Sequence, residues 1–403
     1  MTLPIIDDLS RSFPESTIGT HWELLSDRVM GGVSSSRLRH DPAGHAIFEG
    51  NVSLDVGNYD DLQSVAVTGT TALIGVEDNS VKAVDLATGD VRWDDPINHY
   101  ESSSLASPQV VLRDGVVYAT GIEGVLTARG VARGEVVWDH PLDPSGATDS
   151  YYSLVGAAAV TADRVYVATY YPGDTNYLHA LDRATGAQRW RIELPAGVSG
   201  RIRQVGDVLL VPAKHLYALD PATGRERWRF AMADLTRGAG TPVVAGDAVL
   251  VQGSSTAITG RLYCLDLATG RQRWAIDAGN DYTGVYTPLV VGNYVLGVRE
   301  RGSSQSTTGN GIPFVADLAT GALVWANPDV SVESSPVWAN GRLYFFGQNF
   351  KGTGGVDNNV GLLTLDATTG AFVSVDTYFR YRISLTPVVI ATNGVFTSAD
   401  DAP

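Results

Sequence analysis

The sequence predicts an all-β fold: an eight-bladed β-propeller of four-stranded antiparallel blades, with seven blades and a loose tail as the alternative. Three observations predict it. An apolar run followed by Asp-x-x-Thr-Gly, with Trp four residues past the Gly, recurs every 40–50 residues or so. Short β-branched runs separated by Gly, Asn and Asp clusters fill the spaces between these phrases. The chain of 403 residues contains 44 glycines, as many tight turns require.

The phrase occurs in full at Asp85-Gly89-Trp93, Asp182-Gly186-Trp190, Asp220-Gly224-Trp228, Asp266-Gly270-Trp274 and Asp317-Gly321-Trp325. Two copies are eroded: Gly130 to Gly134 keeps Trp138 but lacks the Asp and Thr, and Asp366 to Gly370 has Ser374 in place of Trp. Each unit reads as four strands. Ser-Pro or Thr-Pro opens the first, as at Ser107-Pro108 and Thr241-Pro242, where a missing N–H is tolerated. The second is apolar and β-branched, as in Val165-Tyr166-Val167-Ala168, and the third resembles Leu216-Tyr217-Ala218-Leu219. The fourth carries the Trp.

Asp-x-x-Thr-Gly is then the turn between the third and fourth strands. Its carboxylate can accept from N–H groups two and three residues on and from the Thr hydroxyl, and Gly supplies positive φ. The Trp offers a flat apolar face to the next unit and an N–H that seeks a carbonyl. These residues read as packing devices, because turns spaced one per unit cannot gather around one metal ion.

First-strand openings fall near Ser64, Ser107, Ala157, Ile202, Thr241, Thr287, Ser335 and Thr386, one more than the turn phrases. The last unit stops after two strands, at Thr386–Val389 and Gly394–Thr397. Ala46–Phe48 and Asn51–Leu54 are candidates to complete it, since pairing the chain ends removes an open seam. The sequence divides into an N-terminal segment, 1–58, and the repeat array, 59–403.

The balance of 29 basic and 44 acidic residues gives −15, which argues against a nucleic-acid partner. Cys264 is the only cysteine and falls in the slot of Ala180 and Ala218, as a buried small residue would. The acidic start is no signal peptide and no run is long enough to span a membrane. The expected location is therefore the cytoplasm, with an exported mature form as the alternative, and the expected state is a monomer.

The wording Leu-Tyr-Ala-Leu-Asp-x-x-Thr-Gly-x-x-x-Trp at Leu216–Trp228 resembles the repeat of the pyrroloquinoline-quinone-like β-propellers, from about Asp60 onward. That family includes quinoprotein dehydrogenases and the lipoprotein scaffold of outer-membrane barrel assembly. The resemblance implies the fold, while one fold hosts many functions. Trp22 to Ser34 and Ala46 to Leu54 resemble the opening of the complex I intermediate-associated domain, shortened to a fragment that cannot close its own sandwich.

In the dehydrogenases of the family, quinone sits above Ca²⁺ with a vicinal cysteine pair, a stacked Trp and a Glu/Asn/Asp metal set. A single cysteine cannot supply that pair, so neither quinone with Ca²⁺ nor any other cofactor or metal is expected, and the reading leans away from an enzyme. None of the seven histidines forms a metal-spaced pair, Gly-x-Ser-x-Gly is absent, and no catalytic residue is assigned.

Long loops gather on the face opposite the Thr-Gly turns and carry Tyr100, Tyr151, Tyr152, Tyr171, Tyr282, Arg299, Arg301, Asn349, Arg380 and Tyr381. Tyr and Arg combine contact area with hydrogen bonding, which suits a protein or peptide partner. The expected function is a non-catalytic protein-binding scaffold. The alternative is a quinoprotein-type oxidoreductase, or a carbohydrate-binding propeller, that uses the central funnel.

Overall fold

A computed structural model describes residues 33–40, 46–54, 64–68, 71–76, 80–85, 90–96, 109–120, 124–142, 153–154, 158–170, 176–232, 239–253, 260–279, 287–300, 311–332, 335–339, 341–349, 360–379, 389–391 and 394–396. The described residues form strands and turns, without an α-helix, so no helix among them could cross a membrane. Antiparallel sheets follow one another along the chain.

Residues 52–233 and residues 34–51 with 234–403 each form a compact unit. The first unit contains four sheets, covering residues 64–96, 109–141, 153–194 and 203–230. The second contains a four-stranded sheet over 243–279 and a nine-stranded sheet over 289–379. A further four-stranded sheet places Val33–His40 and Ala46–Leu54 beside Val389–Ala391 and Gly394–Phe396, with Leu38 opposite Val395.

Within a typical sheet the strands pair in chain order. Val208–Pro212 pairs with Arg203–Val205 on one side and Leu216–Leu219 on the other, and Glu226–Phe230 forms the outer edge. The ladders of 243–245, 289–291 and 337–339 begin one residue after Pro242, Pro288 and Pro336, rather than at the Thr-Pro or Ser-Pro pair. Proline has no N–H to give, so hydrogen bonding starts beyond it.

The core lies between neighbouring sheets, and the second and third strands are buried on both faces. Val165 and Val167 pack with Leu126 and Ala128 of the preceding sheet, while Tyr166 and Ala168 pack with Leu209 and Val211 of the following one. This two-sided burial explains why the strands read as continuous apolar runs rather than as an alternation. Cys264 is fully buried between Leu250 and Phe314, and burial pushes its thiol up to about 11, so it packs as an inert small hydrophobe.

Candidate functional site

The two ends of the sheets differ chemically. At the Thr-Gly end, Asp182 shows the local design. Its Oδ1 accepts from Ala184 N–H at 3.1 Å, Thr185 N–H at 3.0 Å and the Thr185 hydroxyl at 2.9 Å. Asp220 repeats all three bonds, and Asp266, Asp317 and Asp366 accept from the N–H and hydroxyl of Thr269, Thr320 and Thr369. Gly186 N–H closes the turn on Asp182 O at 2.9 Å.

The outer strand then bulges. Ala180 lies opposite Trp190 and Leu181 opposite Gln188, which leaves Arg189 as the extra residue. The same shift isolates Arg92, Val137, Arg227, Arg273, Val324 and Val373. It lets two consecutive side chains serve different partners. Arg189 returns to Asp182 Oδ2 at 2.5 Å, while Trp190 donates its indole N–H to Pro221 O of the next sheet at 3.1 Å.

Trp93, Trp138, Trp274 and Trp325 donate likewise to Val131, Arg183, Leu318 and Ala367, each one residue past the aspartate position of the following turn. The Trp138 ring lies so close to Gly186 that a Cβ there would sit 2.7 Å from it, and Gly186 has φ +70°. Glycine is therefore required at this position for both backbone conformation and space.

The eroded copy is repaired rather than lost. Gly130 keeps the backbone bonds of the turn, and the Glu135 carboxylate fills the space where a side chain at position 130 would begin. The substitution moves the acid to the other arm of the turn.

Arginines engage most of these carboxylates. Arg92 pairs with Asp85, and Arg342 with Asp366 at 2.5 Å. Arg227 bridges Asp207 and Asp220 at 2.7 and 3.0 Å, Arg273 bridges Asp247 and Asp266 at 2.7 Å each, and Arg183 reaches Asp114 at 2.5 Å. The Arg189 and Thr185 bonds hold the Asp182 carboxyl down at about 2, and Arg273 and Thr269 do the same for Asp266. Sequence reasoning missed these arginines. Their signal was the Arg directly before Trp, seven residues after Asp, at four of the copies.

An arginine and a histidine are among the buried polar residues of the first unit. Arg129 stands in the slot filled by Leu181 and Leu219 elsewhere, is 6% exposed, and pairs with Asp95 of the preceding sheet at 2.6 Å and with Asp139. His179 is 1% exposed; its Nδ1–H donates to Gln188 Oε1 at 3.2 Å, and Nε2 has no partner. Burial holds its pKa down at about 4, with Arg191 and His140 adding to the shift.

Tyr100, Tyr151, Tyr152, Tyr171, Tyr282, Arg301, Arg380 and Tyr381 lie outside the described residues. Arg299 and Asn349 end up on one sheet. Arg299 lies opposite Ile312 on Tyr294–Glu300, half-buried, with Nε lacking a hydrogen-bond partner. Asn349 ends Arg342–Asn349.

An additional strand, Val330–Val332, joins these neighbours: Val330 lies opposite Asn349, Val332 opposite Gly347 and Gly311 opposite Val332. Gly311 and Gly347 leave room for its backbone, since a Cβ at either would collide with the carbonyl of Val332 or Ser331. The loop end of this sheet is thus a stitched platform. Among the described residues no three His, Cys, Asp or Glu side chains group to hold a metal ion.

Comparison with known proteins agrees with the geometry. A family model described as outer membrane protein assembly factor BamB matches residues 61–153 and 123–374. The chain belongs to this PQQ-like repeat family. A second model, complex I intermediate-associated protein 30, matches residues 12–82 and so overlaps the start of the repeats. No curated protein matches the chain.

Solved structures of the family's fold include BamB from Moraxella catarrhalis, at 20% identity and TM-score 0.53, covering 82% of this chain and 92% of that one. A europium-containing methanol dehydrogenase is 15% identical at TM-score 0.53, covering 83% and 82%. The quinohemoprotein alcohol dehydrogenase from Comamonas testosteroni is 13% identical at TM-score 0.54, covering 84% and 70%. At these identities the likeness shows the propeller fold alone.

Proposed function

We propose that this chain is a non-catalytic scaffold that holds a protein or peptide partner on its loop-rich face. The observation that carries the reading is the contrast between the ends of the sheets. At the Thr-Gly end, the carboxylates of Asp85, Asp182, Asp220, Asp266 and Asp366 are each already engaged by an arginine. Recruiting any of them to a ligand would first break a bond the fold uses. The other end combines a stitched strand platform with a sequence rich in tyrosine and arginine. The family description, an assembly factor for other proteins, points the same way.

We read the array as eight blades. Two four-strand sets make up the nine-stranded sheet once Val330–Val332 is taken as their link, and 33–54 with 389–396 supplies the last blade. On this reading segment 1–58 closes the array formed by 59–403, and the protein acts as a monomer. On the same reading it works without a resident quinone, since its one cysteine cannot supply the vicinal pair and packs in a sheet core, and without a metal.

The dehydrogenase neighbours favour a second reading, a quinone-dependent oxidoreductase or a carbohydrate-binding propeller that uses the central funnel. Two measurements separate the readings. Replacing Tyr151, Tyr282 and Tyr381 with Ala is expected to leave the melting temperature unchanged and to abolish capture of the partner that the wild type retains; unchanged capture overturns the assignment of the face. Addition of pyrroloquinoline quinone with Ca²⁺ is expected to leave absorbance and melting temperature unmoved, and a saturable change in both overturns the scaffold reading.

A further inference from the structure

The end of sheet 203–230 opposite its Thr-Gly turn is cationic, on a chain of net charge −15. Two segments meet there. The connection 195–202 leads into the first strand, and the hairpin 212–216 joins the second strand to the third. Ser199 N–H donates to Pro212 O at 2.9 Å and its hydroxyl to Ala213 O at 3.4 Å, while Ala213 N–H closes the hairpin on His215 O at 2.9 Å. The backbone that presents the side chains is thus fixed by its own hydrogen bonds.

Arg201, Arg203 and Lys214 are exposed at this end. Residues 195–206 and 208–219 contain no Asp or Glu. Asp207 lies at the other end of the sheet, where Arg227 holds it at 2.7 Å. Glu193, the preceding acid in the chain, belongs to the sheet before and lies opposite Tyr177. Arg203 and Lys214 make no side-chain hydrogen bond or ion pair among the described residues. Desolvation lowers the pKa of Arg203, and the charge of Arg201 lowers it further. The two guanidinium groups therefore stand close enough to repel, a cost that an anion between them would offset. The Thr-Gly end is arranged the other way, since Arg227 there meets two carboxylates of its own sheet.

We infer that this end of sheet 203–230 receives an acidic segment, rich in Asp and Glu, of the partner protein. The inference rests on the scaffold reading and names the chemistry of that partner. Guanidinium groups take carboxylates in bidentate, charge-assisted hydrogen bonds. The size of the patch selects the source of the carboxylates. Fixed charges act over about 8–10 Å at physiological salt, so a short segment meets Arg201, Arg203 and Lys214 without meeting distant acids. A nucleic acid or an anionic membrane presents charge over a wider front and would also meet the acidic remainder of the chain.

A fluorescein-labelled Glu-Thr repeat peptide of about ten residues, long enough to span the patch when extended, serves as the probe, with the Gln-Thr repeat as control. The expected result is saturable binding of the Glu-Thr peptide to the full chain, weakened at least tenfold between about 0.05 and 0.5 M NaCl. Arg203→Gln with Lys214→Gln should weaken it roughly tenfold or more at the lower salt. Arg133→Gln with Arg225→Gln removes the same charge from exposed positions in the turns of two sheets and should leave binding within about twofold of wild type.

No binding to the wild type, or equal loss in the two double variants, overturns the inference. Sedimentation of the protein with phosphatidylglycerol vesicles, lost in Arg203→Gln with Lys214→Gln, would assign the patch to a membrane and overturn it as well. The scaffold reading is scored apart, by capture of the partner in the tyrosine triple variant. Capture lost there, with no peptide bound by the wild type, overturns the acidic partner and leaves the scaffold standing. Capture unchanged there overturns the face, and the acidic partner with it.

Discussion

Trp138 and Gly186 form one device: an indole that donates to Arg183 O and a turn whose glycine makes room for the ring. Trp138→Ala removes the wedge and its hydrogen bond together and is expected to cost about 3–5 kcal/mol in denaturant unfolding. Gly186→Ala is expected to be destabilising as well, because the new Cβ meets both the ring and the positive φ. Arg189→Ala breaks only an exposed ion pair and should cost less than about 1 kcal/mol. Equal losses for Trp138→Ala and Arg189→Ala would contradict the division between wedge and clasp.

At this scale the sequence was informative in part. The Asp-x-x-Thr-Gly wording foretold acceptors and donors because each side chain acts within three residues of itself. The arginine before Trp was not read, since an Arg on an outer strand looks like ordinary solvated charge until the bulge is known. The Gly130 turn looked lost, because the Glu135 carboxylate arrives from the other side of the turn.

Neighbouring sheets in the first unit set the pH response. The pKa of His179 is held at about 4, below its ordinary value of 6.5, so the unfolded chain binds more protons in between. Stability is therefore full above 6.5 and falls as pH drops from 6.5 towards 4, by roughly 3 kcal/mol when complete. Asp182 and Asp266 act lower: their carboxyls are held at about 2 from 3.8, so their contribution is lost as pH falls through that window.

Urea unfolding between pH 8 and 3 should show the first loss in wild type and not in His179→Phe, which puts an aromatic like Phe314 or Tyr217 in the equivalent slot. An unchanged pH slope in the variant would remove His179 as the cause. Arg129 makes a second test. Arg129→Ala and Arg129→Leu both leave Asp95 and Asp139 without their partner, but Arg129→Ala also opens a cavity, so it should lower the melting temperature more than Arg129→Leu, which restores the residue of the sister repeats.

Element existence was legible because strands buried on both faces give unbroken apolar runs, whereas Val330–Val332 was not. It lies inside a connection between repeats and pairs only because glycines 311 and 347 admit it.

For the molecule as a whole, the repeated turns act as mortar, with five of their carboxylates engaged by arginine, and the proposed function therefore assigns selectivity to the other end. The fold was readable because the same phrase recurs and each copy solves the same packing problem. The ligand was not, because residues such as Tyr151 and Tyr282 follow no period, so no sister copy says what they are for. The central proposal is an array of eight blades, the last of them completed by Val33–His40 and Ala46–Leu54. A crystal structure viewed down the ring axis tests it most directly. The account predicts eight four-stranded sheets with Val33–His40 hydrogen-bonded to Gly394–Phe396; seven sheets with the N-terminal hairpin detached, or an open arc, would contradict it.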